Sequence, residues 1–248
     1  MIQEEFDFYR PCKLLQPYVR YYWVFKSNQF LNTLTFPIGC SQIIFHKQTP
    51  LYIPELGISQ SEFTVSGQVN YHSHLYANGN VEMIVVVFQP YTLKAFLNLP
   101  ISLLHNQEVS GYDLENKHLK RLATQIFDCE NASLCISAIE QWLLSQIAGA
   151  LTLKTEYNIK RITAVIRQLL IMPETSVKEL TSIACLSKKQ FERLFNELVG
   201  ANPKEYARIV RFQKSLKLLQ HYSEDANQAQ LAYPVSYTHL TLPTNSRV

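Results

Sequence analysis

Glycine is scarce in this chain: 7 of 248 residues, under half the usual share of about 7%. The seven stand at 39, 57, 67, 79, 111, 149 and 200, so neither G-x-G-x-x-G nor G-x-x-x-x-G-K can be written. Phosphate binding by a glycine-rich loop is thereby excluded. G-x-S-x-G is also missing, and with it the nucleophile elbow of an α/β-hydrolase. Cysteine is present five times (12, 40, 129, 135 and 185), an odd number with no C-x-x-C. That pattern fits reduced thiols in the cytoplasm better than a disulfide framework or a zinc ribbon. Long apolar runs are lacking too. The longest, Met83 to Phe88, is far short of the ~20 residues a membrane helix needs. The first residues, Met1-Ile2-Gln3-Glu4-Glu5, carry no basic segment of an export signal. No membrane is expected, and the expected location is cytoplasmic.

What is present describes a folded chain. Apolar residues make up 47% and charged residues 17%, enough for a core, and the length suits about two domains. Charge is divided unevenly. Residues 1–153 hold 9 Lys+Arg against 12 Asp+Glu, whereas residues 154–221 hold 13 against 6. A compact segment of net +7 behind a mildly acidic one points to a nucleic-acid-binding module joined to a domain of another kind.

The acidic part reads first as strands. Tyr18 to Phe25, Ser41 to His46, Phe63 to Gly67, Tyr71 to Tyr76 and Val81 to Phe88 are rich in aromatic and β-branched residues. Phe36-Pro37-Ile38-Gly39 reads as a turn, and Asn78-Gly79-Asn80 as a hairpin connection. From Tyr91 to Leu97, Lys117 to Phe127 and Ser133 to Ile147 the apolar residues recur every three or four positions, the helical period. In the last of these, Leu134, Ile136, Ile139, Trp142, Leu143 and Ile147 form the expected inward stripe. His72 and His74, at i and i+2 of a strand, would share one face, the geometry of a metal pair. The next acid, Glu82, is eight residues on, and no metal or other cofactor is expected.

The basic part is punctuated by helix signals. Ile159, Ile162, Val165, Ile166, Leu169 and Leu170 form a helical stripe closed by Met172-Pro173. Ser176-Val177-Lys178-Glu179 is a capping box that opens a short helix with Val177, Leu180, Ile183 and Ala184 inward. Ser187-Lys188-Lys189-Gln190 is a second box. It opens a helix, 188–199, with Phe191, Leu194, Phe195 and Leu198 on one side and Lys188, Lys189, Glu192, Arg193 and Asn196 on the other. Gly200 suits the end of that helix. Asn202-Pro203-Lys204-Glu205 starts a further one, running to about Gln220.

Two short helices joined by about three residues, the second with a basic outer face, predict a helix-turn-helix whose second helix enters the major groove of double-stranded DNA. Arg193 is the first candidate for base reading, because its planar fork matches guanine O6 and N7. Lys189, Glu192 and Asn196 share that face, with Ser187 at its start. Lys188, Arg208 and Arg211 are candidates for phosphate contacts, which position without specifying.

Val177 to Ala184, Ser187 to Phe195, Gly200 to Tyr206 and Arg211 to Leu219 together resemble the first half of an AraC-type DNA-binding domain. The run S-x-x-x-[LF]-x-R-x-F followed by G-x-x-P-x-x-Y carries the likeness. Tyr18 to Trp23, Pro37 to Gly39, Phe88 to Pro90 and Leu104 to Gln107 resemble the uncharacterised sensor-like domain that precedes some such regulators. The resemblance implies a transcription regulator, not an enzyme, whose N-terminal domain senses an effector or partner and which acts as a homodimer. The expected class is α+β. A small β-barrel or sandwich-like domain with helices spans 1–150, and an all-α helix-turn-helix domain spans 151–233. The family's second unit is incomplete here: after Tyr233 the residues from Pro234 to Val248 lack its second recognition helix, and 234–248 are expected to be a non-native tail. Two rival readings remain. One is a cupin-like metal-binding or enzymatic domain built on His72 and His74, and the other is a helical half that binds protein.

Overall fold

The computed structural model describes residues 4–150 and 153–222, and the expected incomplete second unit and non-native tail at 234–248 lie outside them. Strands dominate its first part: β1 (Glu4–Tyr9), β2 (Val19–Ser27), β3 (Leu31–Thr35), β4 (Gln42–His46), β5 (Tyr52–Ile53), β6 (Ile58–Ser59), β7 (Phe63–Ser66), β8 (Ser73–Ala77), β9 (Val81–Phe88) and β10 (Glu108–Ser110). They pair antiparallel in two sheets, one ordered β1-β2-β9-β4-β7-β10 and the other β3-β8-β5-β6. The helices are α1 (Lys94–Leu97), α2 (Lys117–Asp128), α3 (Ala132–Ala150), α4 (Leu153–Ile171), α5 (Val177–Ala184), α6 (Lys188–Val199) and α7 (Pro203–Tyr222). The class is α+β, as the sequence predicts.

Both faces of the larger sheet are buried, which is why its central strands read as nearly unbroken apolar runs. On one face Tyr22, Val24, Ile43, Phe45, Val65, Ile84 and Val86 meet α1, α2 and α3. On the other, Trp23, Phe25, Ile44, Val85 and Val87 meet Leu31, Ile53, Leu75 and Ala77 of the smaller sheet. Alternate residues of β2 thus serve two separate cores, as a period of two requires. Helix α2 is capped by Asn116, whose side chain accepts from Leu119 N at 2.9 Å. Its Leu119, Leu122, Ala123 and Ile126 face the sheet. Burying side chains of this size stabilises the fold by about 1.5–3 kcal/mol each.

Three expectations need correction. Asn78-Gly79-Asn80 does not close a hairpin, because β8 belongs to the smaller sheet and β9 to the larger. Gly79, at φ +138°, turns a corner between the sheets instead. Leu134 is 62% exposed, and Cys135 takes the inward position beside Ile136. Leu170 and Ile183 are exposed as well, since each lies at the edge of its helix's apolar stripe.

Candidate nucleic-acid interface

Helices α4 to α7 gather around a third core. Ile162, Val165, Ile166 and Leu169 of α4 meet Leu180 and Ala184 of α5, Phe191, Phe195 and Leu198 of α6, and Tyr206, Ala207 and Val210 of α7. The rings of Phe191 and Phe195 pack edge to face at 5.7 Å, and Phe195 meets Tyr206 in the same manner at 5.9 Å.

Both capping boxes form. Glu179 N donates to Ser176 Oγ at 3.2 Å while Ser176 N donates to Glu179 Oε2 at 2.9 Å. Gln190 N donates to Ser187 Oγ at 3.4 Å, and Ser187 N to Gln190 Oε1 at 3.2 Å. Between the boxes, Cys185 adopts a left-handed conformation at φ 52°, and Leu186 N returns to Thr181 O at 3.1 Å. Three residues therefore reverse the chain between α5 and α6, which is the geometry of a helix-turn-helix.

The burial pattern of α6 separates its two sides. Phe191, Phe195, Leu198 and Val199 are buried. Lys188, Lys189, Glu192, Arg193 and Asn196 are exposed, as are Ser187 before the helix and Arg208 on α7. Among the described residues no carboxylate pairs with Lys188, Lys189 or Arg193. The candidate base-reading residues thus stand together on one open strip. Arg211 is exposed too, but its Nη1 lies 3.2 Å from Glu174 Oε2, so a phosphate would compete with that carboxylate.

The inner side of this unit is seated on the strand-rich part. Gly200 ends α6 at φ 84°, where a Cβ would come within 2.8 Å of the Ile101 side chain and 3.0 Å of its carbonyl oxygen. Only glycine allows both that backbone conformation and that approach. Lys94 pairs with Glu197 of α6. Glu205 of α7 accepts from Asn70, and its Oε1 lies 3.3 Å from His105 Nε2. Gln213 donates to the carbonyl of Pro37, and the Phe212 ring stands 5.3 Å from that of Phe36. Buried Cys40, next to Gly39, accepts from Arg20 Nη1 at 3.5 Å. The turn at 36–40 is thus gripped by α7. The turn and Gly200 are legible in the sequence but what each rests against, α7 and Ile101, is not, because nothing local joins residues this far apart.

The proposed histidine pair is not assembled. His72 lies ahead of β8 and is exposed, whereas His74 is inside the strand. His74 Nδ1 is 2.7 Å from Glu55 Oε1, and its backbone N–H donates to the same carboxylate. That interaction holds Glu55 below the usual carboxylate range despite some desolvation. Among the described residues no three His, Cys, Asp or Glu side chains gather as metal ligands.

The fold and this strip define a two-part chain, with a double-sheet unit followed by a helix-turn-helix. Residues 7–110 match a domain described as DUF6597, a domain of unknown function. No curated protein matches. Among solved structures the chain is similar to a single-substitution variant of ToxT from Vibrio cholerae in its apo form, at 8% identity over 89% of this chain and 84% of that one, with a TM-score of 0.36. A second ToxT structure aligns at 11% identity over 84% and 98% with a TM-score of 0.25. The AraC-like transcriptional activator CuxR aligns at 13% over 89% and 88% with a TM-score of 0.29. No described helix is long and apolar enough to cross a membrane.

Proposed function

We propose that the chain is a DNA-binding transcription regulator that reads the major groove with α6 and is controlled through its strand-rich part. The carrying observation is the exposed strip of Ser187, Lys188, Lys189, Glu192, Arg193 and Asn196 on a helix whose opposite side is buried. Arg193 would read a base edge, and Lys189, Glu192 and Asn196 its neighbours. Lys188 and Arg208 would contact phosphates, with Arg211 joining them once released from Glu174. The working division is 1–150 for sensing and 151–233 for DNA, in the cytoplasm. Control through the sensing part is supported by the contacts of α6 and α7 with Ile101, Lys94, Asn70 and the 36–40 turn.

Selection of sites from random duplex, followed by a mobility-shift titration at several salt concentrations, tests the reading. Enrichment of a defined site, with affinity falling steeply as salt rises, is the expected result. Absence of duplex binding at low salt would favour the rival reading of a protein-binding helical half.

A further inference from the structure

The two sheets part at one end and leave a cavity of about 70 Å³, space for roughly five waters or a ligand of a few heavy atoms. One row of the larger sheet's inner face forms a wall. Tyr21 pairs with Val87, Val87 with Gln42, Gln42 with Ser66, and Ser66 with Glu108, so the row passes from aromatic to acidic. Glu108 Oε1 accepts from Ser66 Oγ at 2.8 Å and its Oε2 from Gln60 Nε2 at 3.2 Å. Gln60 Oε1 meets His46 Nε2 at 2.8 Å. Each carboxyl oxygen keeps a lone pair beyond these bonds.

Two features mark this as more than imperfect packing. Gln68 lines the cavity at 1% exposure, and neither of its amide atoms has a hydrogen-bond partner among the described residues. An orphaned buried amide costs about 1–3 kcal/mol, a loss that a bound polar group would remove. Charge is one-sided as well. Glu108 is the only acid among the lining residues, and no Lys, Arg or His joins it. Arg20 stands behind this lining rather than in it: its Cζ lies 5.8 Å from the Tyr21 ring centroid and its Nη1 donates to Cys40 Sγ at 3.5 Å, while its side chain lines the separate cleft between the two parts. Trp23, Tyr21 and Phe36 line the same space, and aromatic side chains attract cations.

We propose that this cavity binds a small organic cation bearing a primary ammonium group, with Glu108 as counter-ion, Gln68 Oε1 as second acceptor and Tyr21 and Trp23 as walls. An anion would meet a carboxyl and no base there. A neutral alcohol would fill the space but leave the charge unused. The titratable groups nearest Glu108 along its row are Tyr71, whose phenol is pushed up by burial and then by Glu108 itself, and His46 beyond Gln60, while Tyr21, Cys40 and the Arg20 that pairs with Cys40 stand at the far end. Burial holds His46 down to about 4 and therefore neutral, while burial raises Glu108 to about 7.

Ligand binding is read without DNA, so it can fail while the regulator reading stands, and the reverse also holds. Calorimetry on the full chain, with ethylammonium, ethanol and propionate as probes, is the test. Ethylammonium should bind at least tenfold more tightly than either of the others. Its binding must ionise Glu108, whose proton burial holds on, so proton release should be clear at pH 6 and much smaller at pH 8. Glu108→Gln should lower affinity at least tenfold. Proton release needs no variant, so the proposal stays testable if that substitution misfolds. Equal binding of ethanol, no proton release at pH 6, or no ethylammonium binding at tens of millimolar would overturn it.

Discussion

Arg193 and Lys188 both lie on the open strip of α6, yet they should fail differently when removed. Arg193→Ala is expected to cost roughly 1–3 kcal/mol on the selected site and to relax preference at one base pair. Lys188→Ala should weaken binding to all sequences alike and flatten the salt dependence by about one unit. Site selection repeated with each variant separates the two, and an unchanged profile for Arg193→Ala would displace the reading helix. Glu108 makes a second residue-scale prediction. Its folded pKa of about 7 lies above its ordinary 4.5, so its favourable contribution is complete below about 4.5 and fades as pH rises to about 7. His46, held at about 4 against 6.5, acts oppositely and loses stability as pH falls through that range. The two largely cancel between about 4.5 and 6.5, which hides the effect in the wild type. In Glu108→Gln only the histidine remains. The stability of that variant relative to wild type should rise by on the order of 3 kcal/mol from pH 4.5 to 7, as read from urea denaturation. The strip was legible because α6 alternates aromatic and charged residues at helical spacing. Glu108 was not, since a lone acid in Glu108-Val109-Ser110 acquires meaning only once β10 pairs with β7.

The best-read elements are those that carry their own stop and start signals. Both capping boxes, the proline-opened α7 and the glycine end of α6 are local chemistry, and each appears where the sequence predicts it. The first core strands were also readable, from their β-branched and aromatic runs. Strands β1, β3, β5, β6 and β10 went unseen: β5, β6 and β10 are only two or three residues long, and β1 and β3 bury too few of their side chains to leave a pattern. Asn78-Gly79-Asn80 misled for a related reason: a turn signal fixes the reversal but not which sheet each flank joins. The same distinction separates two substitutions on α6. Ser187→Ala removes one cap and should cost about 1 kcal/mol. Gly200→Ala must also be driven into positive φ against Ile101, and about 2 kcal/mol or more is expected. Thermal denaturation of the pair checks the order, and a smaller loss for Gly200→Ala would mean the contact with Ile101 is loose.

At the scale of the whole molecule, the turn at 36–40 belongs to two structures at once. Phe36, Ile38, Gly39 and Cys40 form one end of the inter-sheet cavity, while Tyr206, Phe212 and Gln213 of α7 rest on the outer side of the same turn. A ligand that moves Phe36 must therefore alter the seat of the helix that follows the reading helix. Neither the row of paired residues behind the cavity nor this shared wall could be read from the chain, because the row joins residues 24 to 66 positions apart and the wall rests on contacts about 170 positions apart. If occupancy and DNA binding are linked, linkage requires reciprocity: ethylammonium changes DNA affinity by the same factor as DNA changes ethylammonium affinity. A factor of at least about five is expected, at the low end of usual coupling. Phe212→Ala isolates the route, since Phe212 touches Phe36 but lines neither the cavity nor the α6 strip. This variant should bind ethylammonium within about twofold of wild type and retain a comparable affinity for the duplex. Its coupling factor should fall to about one, because the two equilibria no longer share a moving part. Fluorescence titration of a labelled duplex, with and without saturating ethylammonium, gives the factor for both proteins. An undiminished factor in Phe212→Ala would place the communication in the Lys94–Glu197 and Asn70–Glu205 contacts instead, and the turn would then be only a structural floor for α7.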